Sequence, residues 1–236
     1  MSTAPLGYSP VATLDEQTRA DFVVRVYQHL LAAVVAFIAF ETLLFNLGGA
    51  KAIYDLVSGS GSAWLLILGA FMLVNWIATS AAHDILNPSR QYAGLFAIAG
   101  AESLIFAPFL YYLFRVQNDG ATSVGIAAAI TVVGFAGLTF VAFTTRKDLS
   151  FLRPMLMWGG ISALLLIVAA VIFGMELGVW FSVAMIALAG ASILYQTQNI
   201  LRRYPAEAYV GAAVQLFGSV MLLFWYVLRL VSSIRN

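Results

Sequence analysis

The sequence predicts an all-α membrane protein, a polytopic bundle of seven transmembrane helices. Three observations carry this reading. Seven stretches are long and apolar enough to cross a hydrocarbon core about 30 Å thick, which needs roughly 20 residues of helix. Of the 236 residues, 62% are hydrophobic and only 10% are charged, whereas soluble domains carry about 25% charged residues. There are too few polar side chains to cover a water-facing surface. The stretches are also continuous apolar runs, without the two-residue alternation of a membrane barrel. Only a helix satisfies its own backbone hydrogen bonds in lipid.

Residues 1–25 read as a cytoplasmic N-terminal segment, and residues 1–20 lack the basic start and compact apolar block of a cleaved signal. Asp15, Glu16, Arg19, Asp21 and Arg25 make a solvated, mixed-charge segment with room for a short surface helix. Residues 26–236 form the transmembrane domain. Its spans run Val26–Leu47, Ala63–Ala82, Gln91–Phe114, Ser123–Thr144, Pro154–Gly174, Gly178–Asn199 and Ala208–Val231. The connections Gly48–Ser62, His83–Arg90, Arg115–Thr122 and Arg146–Arg153 hold Gly, Ser, Asn, Pro and nearly all the charge, and read as loops. The turn at Met175–Leu177 is so tight that the fifth and sixth spans should be antiparallel neighbours.

Lysine and arginine set the orientation. Eight flank one side (Arg19, Arg25, Arg90, Arg146, Lys147, Arg153, Arg202 and Arg203) and four the other (Lys51, Arg115, Arg229 and Arg235). The excess places the N-terminus in the cytoplasm. An odd span count puts the C-terminus outside, whereas a re-entrant last segment carrying Arg229 and Arg235 would return it.

Within the spans, Gly134 with Gly137 and Ala187 with Ala191 offer small surfaces for close helix packing. The five tryptophans, Trp64, Trp76, Trp158, Trp180 and Trp225, read mainly as interfacial anchors. His29 and His83 lie near span ends and read as interfacial residues rather than metal ligands. Two carboxyls lie at membrane depth, Glu41 in the second half of span one and Glu102 in the middle of span three. Ionisable groups are costly there and so point to function. Glu41 could instead snorkel to the nearby span end. Pro108 can kink span three and free a carbonyl near Glu102. Asn75, Gln196, Gln198, Asn199, Gln215 and Ser219 are softer polar groups, which often join helices. Tyr195, Gln196 and Asn199 share a helical face that could line a cavity between spans six and seven.

The chemistry absent from the sequence narrows the function. A net charge of +1 offers no basic surface for nucleic acid. No cysteine is present, so disulfides and thiolate sites are excluded. Both lysines, Lys51 and Lys147, lie in loops, which rules out a retinal Schiff base. No histidine lies mid-span to serve an intramembrane serine protease. No aspartate lies in a span to form a protease dyad. A Walker loop is absent. The chain is not expected to be an enzyme and calls for no resident cofactor.

Three segments resemble the transmembrane Bax inhibitor motif family. Gly137-Leu-Thr-Phe-Val-Ala-Phe-Thr-Thr-Arg-Lys-Asp-Leu-Ser-Phe-Leu152 resembles the family's Gly-Leu-Thr helix end and the Lys-Asp-Phe/Leu-Ser loop after it. Ile193-Leu-Tyr-Gln-Thr-Gln-Asn-Ile200 resembles its Leu-Tyr-Asp-Thr-Gln signature in span six. Tyr209–Leu230, closing Leu-Phe-Trp-Tyr-Val-Leu-Arg-Leu, is similar to its last helix. The resemblance implies seven spans and a pH-sensitive calcium leak governed by an aspartate pair in spans six and seven, with an arginine in span two helping to latch the pore. Asp148 matches the family's loop aspartate. At the paired positions this chain has Gln196 and Ser219, which can bond to each other but do not titrate. The span-two arginine position falls around Ser80–Ala82, which holds none.

The resemblance therefore implies a passive cation leak with an altered pH sensor. Calcium would pass only transiently, along Glu102, Glu41, Gln196 and Ser219, since hard cations prefer carboxylate oxygen. The alternative is a non-conducting regulator or scaffold that binds a membrane protease or another membrane protein. Membrane lipid is the other expected partner. The expected location is a bacterial inner membrane, with the N-terminus cytoplasmic.

Overall fold

The computed structural model describes residues 9–117 and 119–235; residues 1–8 of the expected N-terminal segment lie outside the described residues. A short 3₁₀ turn, Val11–Thr13, precedes α1, Glu16–Asn46. Asp15 caps α1 by accepting the Thr18 N–H at 3.0 Å and the Thr18 hydroxyl at 2.7 Å. These bonds hold the Asp15 carboxyl below its ordinary range. Helix α1 runs unbroken through position 25, so the charged N-terminal segment continues into the first span as one helix.

Gly48 ends α1 in the left-handed conformation, at φ +77°, which glycine adopts without a Cβ clash. The chain then forms α2, Gly49–Gly59, where a loop was expected over Gly48–Ser62. Eleven residues are too few to cross a bilayer, so a search for spans passes over this helix. Its two faces differ. Ala50 is buried and Tyr54 packs 5.2 Å from Tyr111, while Lys51 and Asp55 pair at 2.6 Å on the exposed side.

The remaining helices are α3 (Gly61–Ala82), α4 (Pro88–Tyr111), α5 (Gly120–Thr144), α6 (Leu152–Phe173), α7 (Val179–Arg203) and α8 (Tyr209–Ile234). Seven of the eight, all but α2, are long and apolar enough to span a membrane. Among the described residues there are no β-strands. Pro88 opens α4, where its missing N–H costs nothing. Pro108 lies inside α4, and a π-helical turn over Tyr112–Val116 closes it.

Helices α4 and α8 are central: 67% of the apolar window of each is buried, against 11% for α3 and α6. Phe106, Leu95 and Ile98 of α4 meet Phe217, Leu216 and Leu228 of α8 in one core. Helix α4 packs on α3 and α1, and α8 on α7, α1 and α5. Helices α6 and α7 are neighbours, as their tight turn requires.

The close α3–α4 crossing runs over Gly94, where a Cβ would collide with the Ala78 carbonyl oxygen. The glycines singled out from the sequence play no such part. A Cβ on Gly134 would meet only Leu223 at 3.9 Å, and one on Gly137 nothing within 4 Å.

The ends of the bundle are tied by polar bonds. At one end the Val11 N–H donates to the Tyr204 carbonyl at 2.8 Å, joining the N-terminal segment to the α7–α8 connection. At the other, Arg235 grips Asp119 with bonds of 2.8 and 3.0 Å. Helix α8 therefore crosses the whole bundle as one continuous helix. This overturns the re-entrant alternative: the C-terminus lies at the end opposite the N-terminus.

Candidate functional site

Helices α7 and α8 run antiparallel and join through polar side chains spaced one turn apart. The Gln196 amide donates to the Gln215 side-chain carbonyl at 3.2 Å. One turn earlier on α7, the Ser192 and Ser219 hydroxyls bond at 2.8 Å. Ser219 also reaches the Gln215 backbone carbonyl at 3.3 Å. Gln196 and Ser219, which could bond to each other on the sequence reading, thus have different partners. The antiparallel register sets position 196 opposite 215 and position 192 opposite 219. The four side chains form two stacked, uncharged pairs.

These pairs line a cavity of about 850 Å³ between α3, α6, α7 and α8, which Glu102 of α4 also lines. Glu102 is 8% exposed and makes no hydrogen bond or ion pair among the described residues. Asn75, Thr79 and His83 extend the polar lining along α3 and its end. His83 bonds the Thr79 carbonyl at 2.7 Å and the Tyr204 hydroxyl at 3.3 Å. Of the four residues that the sequence reading set along one ion path, Glu102, Gln196 and Ser219 line this cavity. Tyr195 and Asn199 are not in its lining; the face of α7 that lines it is Leu188, Ser192 and Gln196.

Three tryptophans read as interfacial anchors, Trp64, Trp76 and Trp225, are part of this wall. Trp64 stacks on Trp225 with ring centres 6.2 Å apart, and Phe106 meets Trp225 edge-on at 4.9 Å. Trp76 lines this cavity while 72% exposed, and Trp158 and Trp180 are exposed away from it.

Glu41 lies elsewhere. It lines a second cavity, of about 900 Å³, between α1, α4, α5 and α8. It does not snorkel: it is 7% exposed, and both carboxyl oxygens are buried without a partner among the described residues. The expected shared path through Glu41 and Glu102 is therefore not formed. Met221 of α8 lines both cavities and stands as their common wall. Two carboxyls at membrane depth in sequence can face different cavities, because helix rotation decides where each points.

A third polar cluster joins the loop and span-six segments noted in the sequence. Gln198 of α7 accepts the Leu149 N–H at 2.7 Å and donates to the Lys147 carbonyl at 2.8 Å. Arg202 adds a bond to the Arg146 carbonyl at 3.1 Å. Within the loop, the Asp148 carboxylate accepts the Ser150 N–H and hydroxyl, both at 3.0 Å. These bonds, helped by Arg203 and Arg202, hold its carboxyl below the ordinary range. The sequence marks Gln198 as a polar group within the family-like span-six segment, without a partner. Its role needs the loop and α7 to be side by side, which no spacing along the chain announces. Ser192 was missed entirely; its position four residues before Gln196 was the available signal. Among the described residues, no three of His, Asp and Glu converge as a metal site would require.

Comparison with known proteins bears on this arrangement. The family described as inhibitor of apoptosis-promoting Bax1 matches residues 19–236, nearly the whole chain. The chain belongs to this Bax inhibitor family. Its motif segments are thus the loop and helix that Gln198 fastens together. This Bax inhibitor family member is 30% identical over 147 residues to an uncharacterised protein of Pseudomonas aeruginosa, covering 61% of this chain and 64% of the relative. It is 27% identical over 158 residues to an uncharacterised membrane protein of Vibrio cholerae, covering 64% and 67%. It is 30% identical over 140 residues to the modulator of FtsH protease YccA of Escherichia coli, covering 58% and 62%. The alignments with the Pseudomonas and Escherichia relatives span a little over six tenths of each relative's length.

Proposed function

We propose that this family member is a regulator that binds a membrane protease. The observation that carries the reading is its similarity to YccA, whose name describes it as a modulator of FtsH protease. The site supports it physically. Gln196 with Gln215 and Ser192 with Ser219 are neutral pairs that hold α7 to α8, and none of the four titrates near neutral pH. The seam is built to stay shut rather than to open with a proton. The bundle works as a fixed shape with its basic end toward the cytoplasm.

The test is co-reconstitution of the full chain with an FtsH-type protease and a membrane substrate. The degradation rate should change when the chain is present, and cross-linking should join the two proteins. An unchanged rate with no cross-link would discard the reading.

A second reading is a passive cation leak, favoured by one specific observation: Glu102, without a protein partner, shares the 850 Å³ cavity with both polar pairs. Vesicles holding the chain should then pass calcium faster than empty ones, and Glu102→Gln should slow them. Flux equal to that of empty vesicles removes this reading and leaves the first untouched.

A further inference from the structure

The second cavity is a groove open to the side. Helices α1 and α5 both pack on α8 and meet each other at Tyr27 and Phe135, whose ring centres are 6.2 Å apart. Between them, Leu31, Ile38 and Val132 line the groove and are more than half exposed. In a membrane these positions face acyl chains, so the groove is continuous with the lipid. An empty apolar groove of this kind would need no special occupant. Two polar features make it specific.

The first is Glu41. Its side chain lines the groove, and its two carboxyl oxygens are buried with no hydrogen-bond partner among the described residues. An unpaired charge there is too costly to persist, so the group is a neutral acid with one O–H to donate. A donor without an acceptor in an apolar site is costly. The second is Arg115 of the π-helical turn, which lines the same groove as Asn46, the last residue of α1. Arg115 forms no ion pair among the described residues, although Asp119 lies four positions on and is gripped by Arg235. An arginine over the mouth of an apolar groove suits a phosphate, which its planar fork binds well.

We propose that the α1–α5 groove holds one anionic phospholipid. Its phosphate sits on Arg115 and Asn46, its ester carbonyl accepts the Glu41 O–H once that side chain turns outward into the groove, and an acyl chain runs down the groove. The depths agree. Glu41 lies five residues from the end of α1, about 7 Å below it at 1.5 Å per residue. That places Glu41 at the ester level beneath a headgroup. From Glu41 to Leu31 is about 15 Å of helix, the depth of one leaflet's hydrocarbon. A cationic amphiphile is disfavoured, because the neutral Glu41 offers it no counter-charge and Arg115 repels it.

The test uses the full chain in vesicles with a trace of phosphatidylglycerol carrying a photoreactive acyl chain, and maps the labelled residues. Label should concentrate on Leu31, Ile38 and Val132 over the equally exposed Leu165 of α6. Arg115→Ala should cut groove labelling about tenfold, the loss expected for one charge-assisted contact. Glu41→Gln keeps a donor and should retain the label, whereas Glu41→Leu should lose it. If Glu41→Leu fails to fold, Ile38→Trp fills the groove from its exposed edge and should block labelling alone. Even labelling of the groove and α6 overturns the proposal. So does labelling that survives Ile38→Trp, or displacement by a long-chain amine but not by excess phosphatidylglycerol.

Discussion

The Gln198 side chain accepts the Leu149 N–H at 2.7 Å while donating to the Lys147 carbonyl at 2.8 Å. One buried amide thus fastens the α5–α6 loop to α7. It uses both halves of the amide, so no other side chain of its size can substitute. Replacing it with Leu should leave two backbone groups without partners, at a cost of about 1–3 kcal/mol. Thermal unfolding in detergent should show the loss, and hydrogen exchange should rise at residues 147–150. Exchange there unchanged in Gln198→Leu would refute the clamp.

The grip of Arg235 on Asp119 gives a pH prediction. The Asp119 carboxyl sits at about 2, because Arg235 and then Ser123 bond to its charged form. A carboxyl depressed on folding adds stability above its unfolded value, and loses it as pH falls through the folded one. The C-terminus should therefore stay anchored from about pH 8 to 5 and loosen only below about pH 4. A spin label at Ser233 would read this as rising mobility. Arg235→Ala should give the mobile spectrum already at neutral pH, and an immobile label in that variant would count against the anchor.

Glycines separate by position. Gly94→Ala should push α3 from α4 and destabilise the fold by about 1–3 kcal/mol, since the new Cβ meets backbone rather than a movable side chain. Gly137→Ala has open space and should be neutral or stabilising by up to about 1 kcal/mol. Melting the two variants side by side in one detergent checks the contrast, and equal effects would contradict the crossing described for α3 and α4.

Gln196 and Gln215 should be energetically coupled. Changing either one to Leu strands the other's amide, at about 1–3 kcal/mol, while changing both should cost less than the two singles together. A double-mutant cycle of unfolding midpoints decides it. Strict additivity would mean that the pair contributes nothing to the α7–α8 seam.

Lipid as solvent made the architecture legible. A spanning helix must be about 20 residues long and nearly all apolar, so hydropathy marks each span and the basic loops divide into two sets. The family was legible in the Lys147-Asp-Leu-Ser150 and Leu194-Tyr-Gln-Thr-Gln198 segments because they are short and contiguous. Helix α2 escaped because it is too short to span. The pairing of Gln196 with Gln215, the separation of Glu41 from Glu102 and the Gln198 clamp were settled only by tertiary structure. A span apolar on every face can rotate about its axis at little cost in lipid. Which way each polar side chain turns is therefore fixed by the neighbours it packs against.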